Sequence, residues 1–499
     1  LNKVAKHEYA SMSTPVDRYF PDNIAKNYVG GKWMGGDDGK HIAVYDPADG
    51  TKIASCALAD NTSLHIAIDA ARLSFERGDI ADMRPIERAS LMRKIATEIR
   101  KLADDGAHIL CRESGKTLND AKDEFEEAAQ YFEYYGGVAD KIEGKSIPLG
   151  QDYVDYTIYE PHGVSAQIVP WNFPVSLAAR SLAPAIAAGN SVIIKSPELD
   201  PLALSLLGHA FDQAGVPHGV LSILNGIGSK LGAQLVASNQ IDQIVFTGSV
   251  PTGQSILRAA SENITPTLME LGGKSAAIAF QDANINTLLD SIRYGIFFNA
   301  GQVCSAMSRL LVHEGIYQDV IDQSVHLAEN LTIGHGLDNP DHTPLISAQQ
   351  LDNVEKLTSM ARQDRAMIAT GGSRLDRPGH FMAPTILTHV DPSSHIAQNE
   401  IFGPVLCISK FKTQDEAIQI ANSTEFGLVA GVFTSDITRA HQSARELRAG
   451  QIFVNEWFAG GIATPFGGVG KSGFGREKGL EALYNYVQTK NIAISLKSS

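Results

Sequence analysis

Cysteine is scarce in this chain of 499 residues: only Cys56, Cys111, Cys304 and Cys407, far apart and outside any CxxC. Thiols so dispersed exclude a disulfide scaffold and suit a reducing compartment, so a cytoplasmic location is expected. The fifteen histidines form no HExxH and no Cys/His ligand spacing, so no metal site is expected. No apolar run approaches the ~18–20 residues needed to span a bilayer. The first twenty residues have neither an apolar signal core nor an Arg-rich leader, and Met12 stands within them as an alternative start. Long Lys/Arg runs are also lacking, and the formal net charge is −14. Such a chain is poorly suited to a polyanion, so neither nucleic acid nor membrane is expected as a partner.

What is present is ordinary globular material, 43% hydrophobic and 20% charged. Its length exceeds what one hydrophobic core fills, so two or more domains are expected. After an extended entry at 28–33, residues 61–77, 85–102 and 117–135 carry apolar side chains at helical spacing. An Asn-Thr-Ser cap opens the first, and Pro85 suits a first helical turn. An extended pair follows near 153–160. Strands are then predicted at 164–169, 191–195, 221–224, 243–246 and 265–271. Helices are predicted at 174–188 and 201–214, with two more starting near Ser229 and Ser249. Short apolar strands alternating with amphipathic helices imply an α/β fold with a doubly wound parallel sheet, which binds ligands at the carboxyl ends of its strands. A second alternating block runs from 275 past Val454 and can form a separate α/β domain. That division leaves Glu270 at the junction and Cys304 just inside the second half, where a cleft between domains is expected.

The most informative segment is Phe298-Asn299-Ala300-Gly301-Gln302-Val303-Cys304, a thiol in a glycine-containing, uncharged stretch. Met269-Glu270-Leu271-Gly272-Gly273-Lys274 places a lone carboxylate in an equally apolar setting. A thiol is intrinsically nucleophilic, and a desolvated Glu has a raised pKa suited to moving protons near neutrality. Together they point to covalent catalysis through a thioester.

The other motifs each have a plainer reading. Val245-Phe246-Thr247-Gly248-Ser249 ends a strand and opens a helix, which favours a phosphate at the helix N-terminus, yet only Gly248 and Gly253 of a dinucleotide fingerprint are there. Lys195 and Glu198 end another strand and can bond ribose hydroxyls, or form a solvated charge pair. Asn172, in Pro-Trp-Asn-Phe-Pro, can aim an amide N–H at an oxyanion, or cap its own turn. Glu400 and Phe402 can hold a ribose and press on a nicotinamide, or belong to a loop with a core Phe. Gly467–Gly473 imitates a phosphate loop but lacks the four-residue gap, and no strand precedes it.

In combination and order, PWNFP, IKSPE, FTGS, MELGGKS, GQVCS, EIFGP and PFGGVGKSG resemble the aldehyde dehydrogenase superfamily from about Asn27 to Leu496. Glu270 places the resemblance in the hydrolytic branch that does not acylate coenzyme A. The resemblance implies a Rossmann-like cofactor domain (1–139 and 160–271), a second α/β catalytic domain (272–472), and a small β oligomerisation extension with the C-terminal segment (140–159 and 473–499). It implies pairing of subunits, as dimer or tetramer, through strands near 153–159 and 487–496.

Residue by residue, it implies that Cys304 attacks the aldehyde carbon, that Asn172 and the Cys304 N–H bind the oxyanion, and that Glu270 activates the water that hydrolyses the thioester. Lys195 and Glu198 would hold the adenosine ribose, Gly248 and Ser249 the pyrophosphate region, and Glu400 with Phe402 the nicotinamide half. Trp171 and Leu271 would line the cofactor site. The acid at Glu198 repels a 2′-phosphate and so favours NAD over NADP.

Phe173, Leu177, Arg180, Phe298, Trp457, Phe458 and Phe466 would form the substrate pocket. Arg180 stands where succinic semialdehyde dehydrogenases hold a distal carboxylate, but aromatic aldehyde dehydrogenases also carry Arg there, and its alternative is to pair with a neighbouring acid. Phe298 replaces the second Arg of the semialdehyde enzymes. Trp457 follows Asn455 as in betaine aldehyde dehydrogenases, whose cation Arg180 would repel. The expected substrate is an aromatic or bulky aldehyde, including one with an anionic group. A succinic-type semialdehyde dehydrogenase and a coenzyme A-acylating enzyme are the alternatives.

Overall fold

The computed structural model describes residues 14–497, apart from 37–38, 362–363 and 365. Met12 lies outside the described residues. Two large sheets organise the chain. The first has eight strands in the order Gly473–Phe474, Thr267–Glu270, Gln243–Thr247, Val164–Ile168, Ser191–Lys195, Leu221–Leu224, Asn27–Val29 and Lys32–Met34. The five strands from Thr267–Glu270 to Leu221–Leu224 are mutually parallel, and antiparallel strands flank them on both sides.

Parallel strands covered on both faces need continuous rather than alternating apolar sequence, and Ser191–Lys195 is buried at every position. The helix Pro174–Ala188 is likewise buried all round, because it packs against the long helix Leu118–Val138 as well as the sheet. Pro174 starts it, and Gly189 (φ 104°) ends it in the left-handed conformation. The pairing of Gly473 with Glu270 and of Phe474 with Met269 brings the start of the C-terminal segment into this sheet.

The second sheet orders Met367–Thr370, Thr385–Thr388, Val405–Phe411, Arg309–His313, Ala276–Ala279, Val429–Phe433 and Gln451–Val454, parallel except at the first. A third, antiparallel sheet holds Val487–Ser495, Tyr153–Pro161 and Ser146–Ile147, with a ladder from Val487↔Pro161 to Ser495↔Tyr153.

Two features depart from the sequence expectation. A small sheet of Ile24–Ala25, Lys52–Ala57 and His41–Tyr45 lies in the stretch read as mainly helical. Its strands mix polar and apolar residues, and the turn signal between them (Asp46-Pro47-Ala48-Asp49-Gly50, with Gly50 at φ 75°) is the stronger mark. The helix expected over 85–102 continues to Ser114. Gly106 lies inside the continued helix, where it serves packing: a Cβ would collide with the Phe125 ring. No described helix is long and apolar enough to cross a membrane.

Candidate active site

The segment before Cys304 is irregular. A π-turn, Arg293–Phe297, leads into Phe298–Gly301, where Asn299, Ala300 and Gly301 have φ of 49°, 52° and 72°. Consecutive left-handed residues are strained unless their surroundings over-determine them. Here they do. The Asn299 side-chain amide donates to the Asn172 carbonyl (3.2 Å), the Gln302 side chain donates to the Asn299 carbonyl (3.1 Å), and the Ile346 N–H donates to the Gln302 side chain (3.0 Å). The Asn172 side-chain amide donates to the Gln302 carbonyl at 3.0 Å. One of its N–H groups is therefore engaged in placing it beside the Cys304 loop, and the amide carries a second N–H as a further donor.

Cys304 lies where two cavities meet. One, of about 410 Å³, is lined by Phe173, Leu177, Arg180, Phe298, Phe458 and Phe466, among others. The other, of about 250 Å³, is lined by Trp171, Gly248, Ser249, Glu270, Leu271, Glu400 and Phe402, among others. Asn172, Leu177 and Cys304 belong to both.

The aromatic wall is real: the Phe173 and Phe298 rings stack at 5.8 Å, and Phe458 meets Phe298 edge-on at 6.2 Å. Trp457 is not part of it. It is buried behind the wall, packed near Gly295 and Gly431, with its ring N–H donating to the Ser305 carbonyl at 3.1 Å. Where exposed at all, it faces a separate outer hollow shared with Phe298 and Phe458. Arg180 does reach the larger cavity but is ion-paired with Glu477, both side chains being buried. Sequence reading missed Glu477, as well as Glu127 and Lys478, which also line that cavity and stand 3.5 Å apart. These partners come from distant helices and the C-terminal segment, so no local spacing marks them.

On the other side, Trp171 meets Phe402 edge-on at 5.3 Å, with Phe402 held at φ 57°. The Gly273 N–H donates to Glu400 at 3.1 Å, and burial pushes the Glu400 carboxyl up to about 7. The helix Val250–Asn263 begins after Ser249 without a side-chain cap, so its first N–H groups and dipole suit a phosphate. Lys195 and Glu198 lie 3.5 Å apart at the end of their strand, and Glu198 also accepts the Gly228 N–H. They stand outside the smaller cavity's immediate lining. Aromatic faces, two carboxylates and an uncapped helix N-terminus together fit a dinucleotide.

The phosphate-loop imitation has a structural use. Ser472 donates to the Gly272 carbonyl (2.7 Å) and accepts the Gly427 N–H (3.0 Å), while Lys471 pairs with Glu425. The segment thereby fixes the loop after Glu270. One cluster that spacing could not show gathers Asp46, Asp49 and His335, but Arg112 and His335 both bond to Asp46 there.

Burial sets the protonation of the site. Glu270 is 2% exposed, neither oxygen has a hydrogen-bond partner among the described residues, and desolvation, reinforced by Glu477, raises its pKa well above the usual carboxylate range. Arg180 and Arg476 oppose that shift. Gly467 leaves space beside it, since a Cβ there would come within 2.8 Å of Glu270 Oε1. Burial also pushes the Cys304 thiol up to about 11; the Arg180 charge lowers it, while Glu270 and Glu400 raise it. The arrangement can therefore add a thiol to an electrophilic carbon, polarise its oxygen and take a proton from water.

Residues 33–492 match the model of the Aldehyde dehydrogenase family. The chain is 37% identical to the mitochondrial benzaldehyde dehydrogenase of Antirrhinum majus, covering 98% of this chain and 92% of that protein. It is 36% identical to the betaine aldehyde dehydrogenase of Bacillus subtilis, covering 93% and 96%. Among solved structures, the NAD+ complex of an aldehyde dehydrogenase from Bacillus cereus superposes with a TM-score of 0.95 at 35% identity, covering 98% of this chain and 99% of that one.

Proposed function

The chain belongs to the aldehyde dehydrogenase family, and on that premise we propose that it oxidises an aromatic or otherwise bulky aldehyde to the acid through a thioester on Cys304. The observation that carries this reading is the place of Cys304 at the junction of an aromatic cavity and a dinucleotide-shaped one, with Asn172 beside it and Glu270 on the cofactor side. Cys304, its thiol proton passing to water, attacks the aldehyde carbon through sulfur. The Asn172 amide and the Cys304 backbone N–H receive the charge that forms on oxygen; loss of one such donor typically costs ~3 kcal/mol of barrier. When bound, the nicotinamide cofactor supplies the acceptor for the hydride that leaves this carbon. Glu270 then takes a proton from the water that hydrolyses the thioester, which favours a free acid over acyl transfer to coenzyme A.

Glu198, at the ribose position, supports NAD over NADP, and a 2′-phosphate would meet its charge directly. The aromatic wall supports a planar, apolar substrate. The anionic variant of the expectation rested on Arg180, and the Glu477 carboxylate already answers that charge. A succinic-type semialdehyde substrate loses the same support. A homo-oligomer is favoured by the third sheet, whose strand Val487–Ser495 leaves one edge open and in which the paired Val154 and Ile494 both expose apolar side chains.

The test is kcat/KM for benzaldehyde, succinic semialdehyde and betaine aldehyde with each cofactor, with and without coenzyme A. Benzaldehyde with NAD is expected to lead, independently of coenzyme A. A preference for either other aldehyde overturns the substrate reading, and acyl-coenzyme A as product overturns the hydrolytic one. Phe298→Ala is expected to lower kcat/KM for benzaldehyde by roughly tenfold or more while sparing acetaldehyde, since an aromatic contact plus its buried area is worth ~1.5 kcal/mol or more.

A further inference from the structure

Beneath the Pro170–Pro174 turn lies a charged pair that the chemistry above does not use. Lys116 stands in the short connection between the helices Pro85–Ser114 and Leu118–Val138, just after Gly115, which turns the chain at φ 84°. Its side chain is 1% exposed and that of its ion-pair partner Glu124 is 2% exposed. The Lys116 ammonium donates to the Asn172 carbonyl at 2.9 Å and lies 4.3 Å from the centre of the Phe173 ring. The other Glu124 oxygen accepts the N–H groups of Val175 (2.8 Å) and Ser176 (3.1 Å), in the first turn of the next helix.

One buried pair thus holds Asn172, Phe173, Val175 and Ser176. Desolvating two charges is costly, and such a pair is often no more stabilising than apolar residues of the same volume. Holding a segment in one geometry is a use that apolar residues serve less well, because dispersion has no direction and a charge-assisted hydrogen bond does. The held segment carries the Asn172 amide and the Phe173 face of the aromatic wall.

We propose that Lys116 is a positioning residue, which through its bond to the Asn172 carbonyl and its pair with Glu124 sets the Asn172 side-chain amide for the oxyanion. This rests on Asn172 being the oxyanion donor. The Asn172 carbonyl also accepts from the Asn299 side chain, so the same atom joins the Lys116 anchor to the strained loop before Cys304. Asn172 is gripped from both sides, by a cation below and by the nucleophile's loop beside it. Glu113 and Asp200, also buried, feel the Lys116 charge, but Glu113 is spent on the Leu202 and Ala203 N–H groups.

The experiment is a double-mutant cycle on the full-length protein, with NAD and benzaldehyde, read as kcat, KM, cofactor Kd and thermal midpoint. The variants are Lys116→Met, Asn172→Ala and their combination. Because Lys116→Met leaves Glu124 buried without its cation, the cycle is repeated with Lys116→Met/Glu124→Gln, which leaves no lone charge. The expected result is a kcat loss of roughly 10- to 100-fold with cofactor Kd unchanged, the scale of a misplaced catalytic group. That loss should largely vanish in the Asn172→Ala background. An equal loss in both backgrounds overturns the proposal alone, since Lys116 would then act independently of Asn172. Undiminished kcat in folded Lys116→Met/Glu124→Gln overturns it as well. Undiminished kcat in Asn172→Ala overturns the oxyanion reading itself, and the proposal with it.

Discussion

Glu270 and Cys304 show how the same residue types acquire chemistry from burial. Neither Glu270 oxygen is hydrogen-bonded within the described residues, and its raised pKa follows from desolvation first and from Glu477 second. The base form therefore grows as pH rises. Thioester hydrolysis is expected to accelerate with pH in the wild-type protein, measured as steady-state turnover after a burst of NADH. Glu270→Gln should keep the burst, lose roughly 100-fold or more in the steady state, and lose this pH dependence. Cys304→Ser should remove the burst and leave cofactor binding, followed by fluorescence, in place. Both residues stand out in the sequence, because an isolated thiol and an isolated acid among glycines are chemically conspicuous. Their environment does not stand out: Glu477 comes from a segment whose neighbours Gly473 and Phe474 join the sheet edge beside Glu270.

At the scale of elements, most of the cofactor-side alternation was legible, since buried parallel strands are short apolar runs and their helices repeat with a different period. Pro174–Ala188, Ser191–Lys195 and Leu221–Leu224 have the predicted bounds. The hairpin at His41–Ala57 was not legible, because its strands mix polar, charged and small residues and form no continuous apolar run. Nor was the tie between Pro174–Ala188 and the C-terminal segment through Arg180 and Glu477. Both side chains are buried, so Arg180→Met strands a carboxylate. Its denaturation midpoint should fall by an amount corresponding to ~3–5 kcal/mol, with much of the loss recovered in Arg180→Met/Glu477→Gln. Because Glu477 already neutralises Arg180, selectivity between anionic and neutral aldehydes should change little in the folded double variant.

For the whole molecule, burial of acids has a consequence for stability. Glu113 is raised from 4.5 to about 8, by burial first, and Glu400 from 4.5 to about 7. A folded acid with a raised pKa keeps its proton where the unfolded chain has lost it, so its contribution to stability falls as pH climbs between the two values. The denaturation midpoint should decline from pH ~5 to pH ~8 more steeply in the wild type than in Glu400→Gln. The strand Val487–Ser495, at the edge of its sheet, exposed over most of its length and carrying the exposed Ile494, is the other molecular-scale feature. If it meets a second copy, Ile494→Lys should reduce the mass seen by light scattering to that of a smaller assembly, with the far-ultraviolet spectrum unchanged.

The sequence by itself determined the family, the alternating α/β architecture, and the identities of the thiol, the acid and the amide, because each of these is written in local patterns and in the order of short motifs. Only the tertiary structure decided what surrounds them. It set Arg180 against Glu477, moved Trp457 behind the aromatic wall, turned the glycine-rich Gly467–Gly473 segment into a brace, and placed Lys116 under Asn172. Those are pairings between residues distant in the chain, and their energies depend on desolvation and direction, which arise only once the chain is packed.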